Sequence, residues 1–294
     1  RLAALRAEMA EAGFDALLVP RADAHQGEYV AARDERLAWL TGFTGSAGFC
    51  IVLTDGVALF TDGRYTLQAC AQTAPEFEIV PWPATQPGDW LSQRLPEGAV
   101  LGFDPWLHTA AEIDRLRAAA PGLVLEPGEN LIDRIWTDQP PAPSAPLRIY
   151  PQELAGAPHA DKRARLAQTL RDEGQRAAVL TLPDSIAWLL NIRGADIPRI
   201  PVALAFAILH DDARVDLFLD PRQSDAITDH LGPDITIGAQ NALLPTLAAL
   251  AGPVRLDGAT LDQWTPEALG RHIGYLPQSL HMLSGSVGEN IARF

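Results

Sequence analysis

The sequence predicts an α/β chain built from two copies of one domain, because three features recur in the same order along its 294 residues. First, Leu2, Leu5 and Met9 recur at helical spacing, Gly13 stops the pattern, and 15–20 reads as a buried strand; Leu166, Leu170, Gly174 and a strand over 177–182 repeat this 161 positions later (Leu5/Leu166, Met9/Leu170, Gly13/Gly174). Second, Trp39-Leu40 leads into Gly42-Phe43-Thr44-Gly45, and Trp188-Leu189 leads into Asn191-Ile192-Arg193-Gly194. Third, each loop is followed by a hairpin: strands over 49–53 and 57–61 around Thr54-Asp55-Gly56, then strands over 203–209 and 214–219 around His210-Asp211-Asp212. Each hairpin closes on an Asp-x-Arg, Asp62-Gly63-Arg64 and Asp220-Pro221-Arg222.

The remaining elements of the first half follow from local chemistry. A Pro-rich loop is expected over 82–88, a short helix over 89–95, a strand over 100–104, and a helix over 109–119 with Thr109 as N-cap. Pro140, Pro141, Pro143 and Pro146 then make an extended connector, so the domains are expected at 1–146 and 147–255. The segment 256–294 reads differently and is treated as a third region.

Composition narrows the function. With 37 Asp+Glu against 23 Lys+Arg the net charge is −14, which repels phosphate backbones and anionic membranes, so neither nucleic acid nor a membrane is an expected partner. Lys162 is the sole lysine and follows Ala160-Asp161, so no Gly-Lys-Ser/Thr phosphate loop exists. No apolar run approaches the roughly 18 residues of a membrane span. Cys50 and Cys70 read as reduced structural thiols, consistent with a cytoplasmic protein. The chain begins at Arg1 without Met and stops at Phe294 on an amphipathic segment, so both ends read as cut.

Asp23-Ala24-His25-Gln26-Gly27-Glu28-Tyr29, Gly42 to Gly48, Thr61-Asp62-Gly63-Arg64-Tyr65, Glu129 to Trp136 and Ile186 to Gly194 resemble the successive signatures of aminopeptidase P, over about residues 1 to 255. The resemblance implies two tandem creatinase/prolidase N-terminal-type domains, with mixed sheets and flanking helices. In that family a C-terminal pita-bread domain holds a dinuclear metal centre, usually manganese, and the enzyme hydrolyses the bond before proline. No residue here matches that domain, so no metal ligand is assigned and this chain is expected to be inactive alone. The resemblance also implies proline-containing peptides as substrates of the full-length enzyme, and a homodimer.

Arg64 is the substrate-binding candidate by resemblance, and a guanidinium fork suits a peptide carbonyl or carboxylate. The alternative is an Asp62–Arg64 ion pair fixing the hairpin end. Asn191 and Arg193 are weaker candidates, the alternative being a local Arg193–Asp196 pair. His25 with Asp23 and Glu28 fits no familiar metal-ligand spacing and reads as a packed loop. Gly42 to Gly48 lacks a lysine and leads into a strand, so it reads as a structural turn. Asp211, Asp212, Asp216 and Asp220 read as a solvated hairpin.

The stretches Thr265 to Gln278 and Leu283 to Ile291 resemble the Q-loop region of an ABC transporter ATPase, which would make Gln278 nucleotide-related, although no phosphate loop precedes it. Alternatively, 254–294 completes the second domain as strand, helix and strand. A joined reading frame with its seam near 252–259 is a further expectation. The competing functional readings are a non-catalytic peptide-binding or dimerisation module, and an ABC ATPase fragment.

Overall fold

The structure, a computed structural model, describes residues 1–256. In the first half, α1 (Leu2–Ala12) buries Leu2, Leu5 and Met9 on one face. It ends where Gly13 takes φ 75°, a left-handed conformation that costs glycine little, and the Phe14 N–H donates to the Met9 carbonyl at 2.9 Å. The chain then runs β1 (Ala16–Pro20), α2 (Arg36–Thr41), β2 (Gly48–Leu53), β3 (Val57–Thr61), α3 (Thr66–Gln72), β4 (Glu78–Pro81), α4 (Pro87–Ser92), β5 (Val100–Phe103), α5 (Ala110–Ala119), β6 (Val124–Pro127) and α6 (Leu131–Ile135). The six strands form one mixed sheet in the order β4-β3-β2-β1-β5-β6. One face packs on α1, α2 and α6 through Leu5, Met9, Leu37, Ile132 and Trp136; the other packs on α4 and α5 through Trp90, Leu91 and Leu116.

The second half runs β7 (Arg148–Ile149), α7 (Gln152–Ala155), α8 (His159–Asp172), β8 (Ala177–Leu180), α9 (Pro183–Leu190), β9 (Ile192–Arg193), β10 (Phe206–His210), β11 (Val215–Phe218), α10 (Thr228–Leu231), β12 (Ile235–Gly238), α11 (Leu243–Ala249) and β13 (Val254–Leu256). Its main sheet has the order β12-β11-β10-β8-β13. Strand directions match the first half pair by pair. β1–β2 and β8–β10 are antiparallel, as are β2–β3 and β10–β11; β3–β4 and β11–β12 are parallel, as are β1–β5 and β8–β13. The duplicated α/β fold is therefore present, with mixed sheets flanked by helices.

Thr109 caps α5 in a reciprocal box: its Oγ1 accepts from the Glu112 N–H at 3.2 Å, and Glu112 accepts from the Thr109 N–H at 3.0 Å. The helix expected over 89–95 starts earlier, at Pro87, because proline suits a first helical position. The strand expected over 203–209 is also shifted. Asp196 accepts from the Leu204 N–H at 2.8 Å and its own N–H donates to Val202, so the backbone before Phe206 serves that loop instead of the ladder. The edge strands β4, β6 and β12 are as short as β5, β8 and β11 but mostly solvent-facing, so no apolar run marks them, and Pro81 and Pro127 sit where an edge tolerates proline.

The proline-rich connector is irregular but tied at both ends. Gln139 donates to the Arg33 carbonyl and to Asp133, and the Ala145 N–H donates to Asp196. Among the described residues no helix is long and apolar enough to cross a membrane.

Candidate functional site

Arg64 stands just past the end of β3, on the turn into α3. Its backbone N–H donates to Asp62 Oδ1 at 2.9 Å, and its Nε and Nη2 donate to the same carboxylate at 3.1 and 2.7 Å. These hydrogen bonds hold the Asp62 carboxyl below its ordinary range. The side chain is 68% exposed and lies over the Tyr65 ring, whose hydroxyl meets Ser46 Oγ at 2.7 Å. Arg222 repeats the arrangement on Asp220 in the second half, with its backbone N–H at 3.0 Å and Nη2 at 2.5 Å. The ion pair is thus a property of the repeated hairpin end. It orients a guanidinium toward solvent in both halves and does not by itself distinguish Arg64.

Asn191 ends α9 in a left-handed conformation, φ 52°, which asparagine tolerates better than most residues. Its amide is consumed within the fold: Oδ1 accepts from Lys162 Nζ at 2.7 Å and Nδ2 donates to the Ala157 carbonyl at 2.9 Å. Arg193 donates to the carbonyls of Ala187 and Ile192 and lies 3.8 Å over the Tyr150 ring. The expected Arg193–Asp196 pair does not form. Asp196 instead accepts from Ala145, Leu204 and Gln223, tying the connector and the loop before β10 to one carboxylate. Gly194 is required there because a Cβ would lie 2.6 Å from the Val202 backbone.

Lys162 is buried on α8 yet meets no carboxylate among the described residues. Its ammonium donates to the Trp188 carbonyl at 2.9 Å and sits 4.5 Å over the Trp188 ring. Burial, and then repulsion from Arg193 and Arg165, push it below the ordinary lysine range. Arg1 does the same in the first half, donating to the Trp39 carbonyl and lying 4.7 Å over its ring. Sequence reading missed this pair. The signal was available, since Arg1 and Lys162 are also 161 positions apart.

His25 is packed, as its loop context suggests. Its Nδ1 is 2.9 Å from the Thr181 carbonyl and its ring stacks on Phe206 at 4.4 Å, both in the second half. Burial lowers its pKa, against the opposing pull of Asp23, Asp34 and Asp196. Asp23 serves the loop by accepting from the backbone N–H groups of His25 and Gly27. The hairpin carboxylates are likewise engaged: Asp211 by Arg176, Asp212 by Arg214 and Asp216 by His210. Among the described residues no group of three or more His, Cys, Asp or Glu could hold a metal ion, so a dinuclear centre does not fit them. Cys50 is buried and Cys70 exposed, and both are free thiols. Gln278 lies outside the described residues, as does all but the start of the segment 256–294.

The comparisons with known proteins agree with this architecture. The creatinase/prolidase N-terminal domain family matches twice, over residues 1–135 and 138–279. The second match runs into the stretch that resembles an ABC ATPase, and that resemblance gains no support from the comparisons. A probable Xaa-Pro aminopeptidase P of Talaromyces stipitatus is 34% identical over 285 residues, covering 90% of this chain and 42% of the relative. Aminopeptidase P1 of Arabidopsis thaliana is 37% identical over 233 residues, covering 76% and 35%. Among solved structures, an X-prolyl aminopeptidase of Caenorhabditis elegans, a cytosolic enzyme with a di-nuclear active site, superposes with a TM-score of 0.76 at 32% identity, covering 84% of this chain and 43% of that one. The chain therefore spans about two-fifths of the length of these relatives. Two creatinase/prolidase N-terminal domains make up most of it, and it belongs to that family as an aminopeptidase P-like chain.

Proposed function

We propose that this chain is the two-domain N-terminal portion of a metal-dependent Xaa-Pro aminopeptidase, non-catalytic by itself. The observation that carries this reading is the pair of repeated domains, which superposes on the Caenorhabditis elegans enzyme over 43% of that chain. The domains span 1–146 and 147–255. In the full-length enzyme they shape the entrance to a catalytic centre elsewhere, one that takes proline-containing peptides and two metal ions, with manganese as the proposed metal, in a cytoplasmic homodimer. Arg64 supplies the substrate contact, supported by its exposed and oriented guanidinium. Asn191 and Arg193, the weaker substrate-binding candidates, hold the second domain's own loop together, which suits their internal hydrogen bonds.

The test is hydrolysis of an Xaa-Pro peptide by this chain with added Mn²⁺. No turnover is expected, and turnover would overturn the claim of inactivity. A second reading, a retained peptide-binding or dimerisation module, is favoured by the same exposed Arg64. Binding of an Xaa-Pro peptide that disappears in Arg64→Ala but persists in Arg222→Ala supports the retained module; absence of binding supports a fragment that acts only within the longer enzyme.

A further inference from the structure

The loop over 21–35 joins the two halves, and its histidine lies in the joint. Ala24 packs into the second half's cluster with Val179 and Phe206, and Ala31 packs with Ile197 and Leu204. His25, only 6% exposed, adds a polar contact: its Nδ1 is 2.9 Å from the Thr181 carbonyl while its ring stacks on Phe206. A carbonyl only accepts, so Nδ1 carries the proton and the neutral ring donates across the joint. That position gives the ring one protein acceptor, whereas a charged ring has two N–H donors.

Two residues away stands an acceptor without a donor. Asp23 is 2% exposed, and its Oδ1 accepts from the backbone N–H groups of His25 at 2.9 Å and Gly27 at 3.3 Å. Its Oδ2 is buried and has no hydrogen-bond partner. Buried polar atoms are nearly always paired, so this oxygen calls for an arrangement that satisfies it. The other charged groups around the ring are already committed. Asp34 pairs with Arg36 at 2.8 Å, and Arg36 also holds Asp133; Arg33 bears on Asp34 from the same turn. Asp196, across the joint, accepts from Ala145, Leu204 and Gln223. Thr181 and Phe206 bring no ionisable group, nor does Trp106, which approaches Phe206 from the first half.

We propose that His25 is a two-position clasp: neutral, it binds the Thr181 carbonyl and holds the halves together; protonated, it turns back to Asp23 Oδ2 within its own loop and frees the second half to hinge. A proton can drive such a change because it binds the two positions unequally. In the joint, burial holds the imidazole below its ordinary value of 6.5, whereas a carboxylate partner favours the charged ring. The clasp is therefore closed above pH 6.5 and opens as pH falls below it. This inference stands independently of the activity proposed above.

The experiment uses the full chain with two spin labels and reads the distance between the halves by pulsed electron paramagnetic resonance. Cys70 is an exposed free thiol in the first half, and Cys50 is buried away from the reagent. Asp229→Cys places the second label on α10, where Asp229 is exposed. Expected is one narrow distance distribution at pH 8 and a second, reversible population at pH 5, with a midpoint that matches the titration of the His25 ring signals in NMR. In His25→Gln, which can still donate to Thr181 but takes up no proton, the narrow distribution should persist at pH 5. In Asp23→Asn, which keeps an acceptor for the two backbone N–H groups, the midpoint should fall by about one pH unit or more, a tenfold change in proton concentration. His159→Gln should behave as the parent does. The proposal is overturned if the distribution does not change with pH, if it changes equally in His25→Gln, or if Asp23→Asn leaves the midpoint in place. It is equally overturned if the helical circular dichroism signal is lost in step with the new population, which would make the event unfolding.

Discussion

Trp39 and Trp188 hold corresponding places in the two halves, each over a helix cation and each before a loop that ends in a close-packed glycine. Their surroundings differ. Trp39 is stacked on Trp136 and packed against the first half's core, while Trp188 remains 44% exposed. The local frame of the side chain is thus the same in both halves, and what packs on it from further along the chain sets its burial. The loops after the first strands teach the same lesson. In the first half, 21–35 is long enough to carry His25 onto Thr181 and Phe206; in the second, β8 passes within a few residues into α9. Part of the contact between the halves is therefore made by a loop that the second half lacks at the corresponding place, beside the approach of Trp106 to Phe206.

The largest effects test whether the two cores are equivalent. Met9→Ala and Leu170→Ala remove counterpart side chains that are almost wholly buried, and each should cost about 2–5 kcal/mol in urea unfolding followed by circular dichroism. A half that ignores its substitution would break the correspondence. Gly194→Ala and Gly45→Ala sharpen it further. At Gly194 the new Cβ meets the Val202 backbone at 2.6 Å, and at Gly45 it runs into the ring of Phe43, which is fully buried in the first core. Each substitution should therefore cost about 1–3 kcal/mol, with unfolding midpoints as the measure, and a half that tolerates its alanine would break the correspondence.

A smaller effect concerns the contact made by only one loop. Burial lowers the folded-state pKa of His25 below its ordinary 6.5, so the unfolded chain binds its proton more readily. The contribution is complete above that ordinary value and is lost as pH falls from 6.5 toward the lowered folded value. His159 is shifted in the same direction, first by burial and then by His230 and Arg163. In His25→Gln the decline of stability between about pH 7 and 5 should become shallower; an unchanged slope would assign it to His159 instead. The smallest effect is at the hairpin ends, where Arg64→Ala and Arg222→Ala should leave the unfolding midpoint where it is. Peptide binding is the measurement that separates those two positions.

Sequence made the repeated frame legible wherever a pattern had room to repeat. Three turns of apolar spacing marked α1, and Gly13 and Gly174 marked two helix ends at one offset. The edge strands β4, β6 and β12 were not legible because their residues mostly face solvent, whereas the equally short β5, β8 and β11 are buried and show as apolar runs. Arg64 was legible as a motif position, but its ion pair with Asp62 acquires meaning only beside Arg222. The role of Asn191 depended on Lys162, 29 positions away, and that of Asp196 on Gln223 and Ala145; pairings of this kind leave no trace in local spacing. Spacing alone suggested Arg193 as the partner of Asp196, and the loop geometry gives that carboxylate to backbone N–H groups instead.

The packing of α6 back onto α1, with Arg134 reaching Glu8 and Trp136 reaching Trp39, has a consequence for biosynthesis. Every residue of the first core lies within the first 136 positions, so that core is complete in the nascent chain before Trp188 has been added. At ordinary translation speeds of about 5–20 residues per second, the ribosome gives the first domain a lead of seconds, long compared with the folding of many small domains. The second domain is then born beside a finished neighbour, and the surface that offers Phe206 a place against His25 is already waiting when its strands emerge.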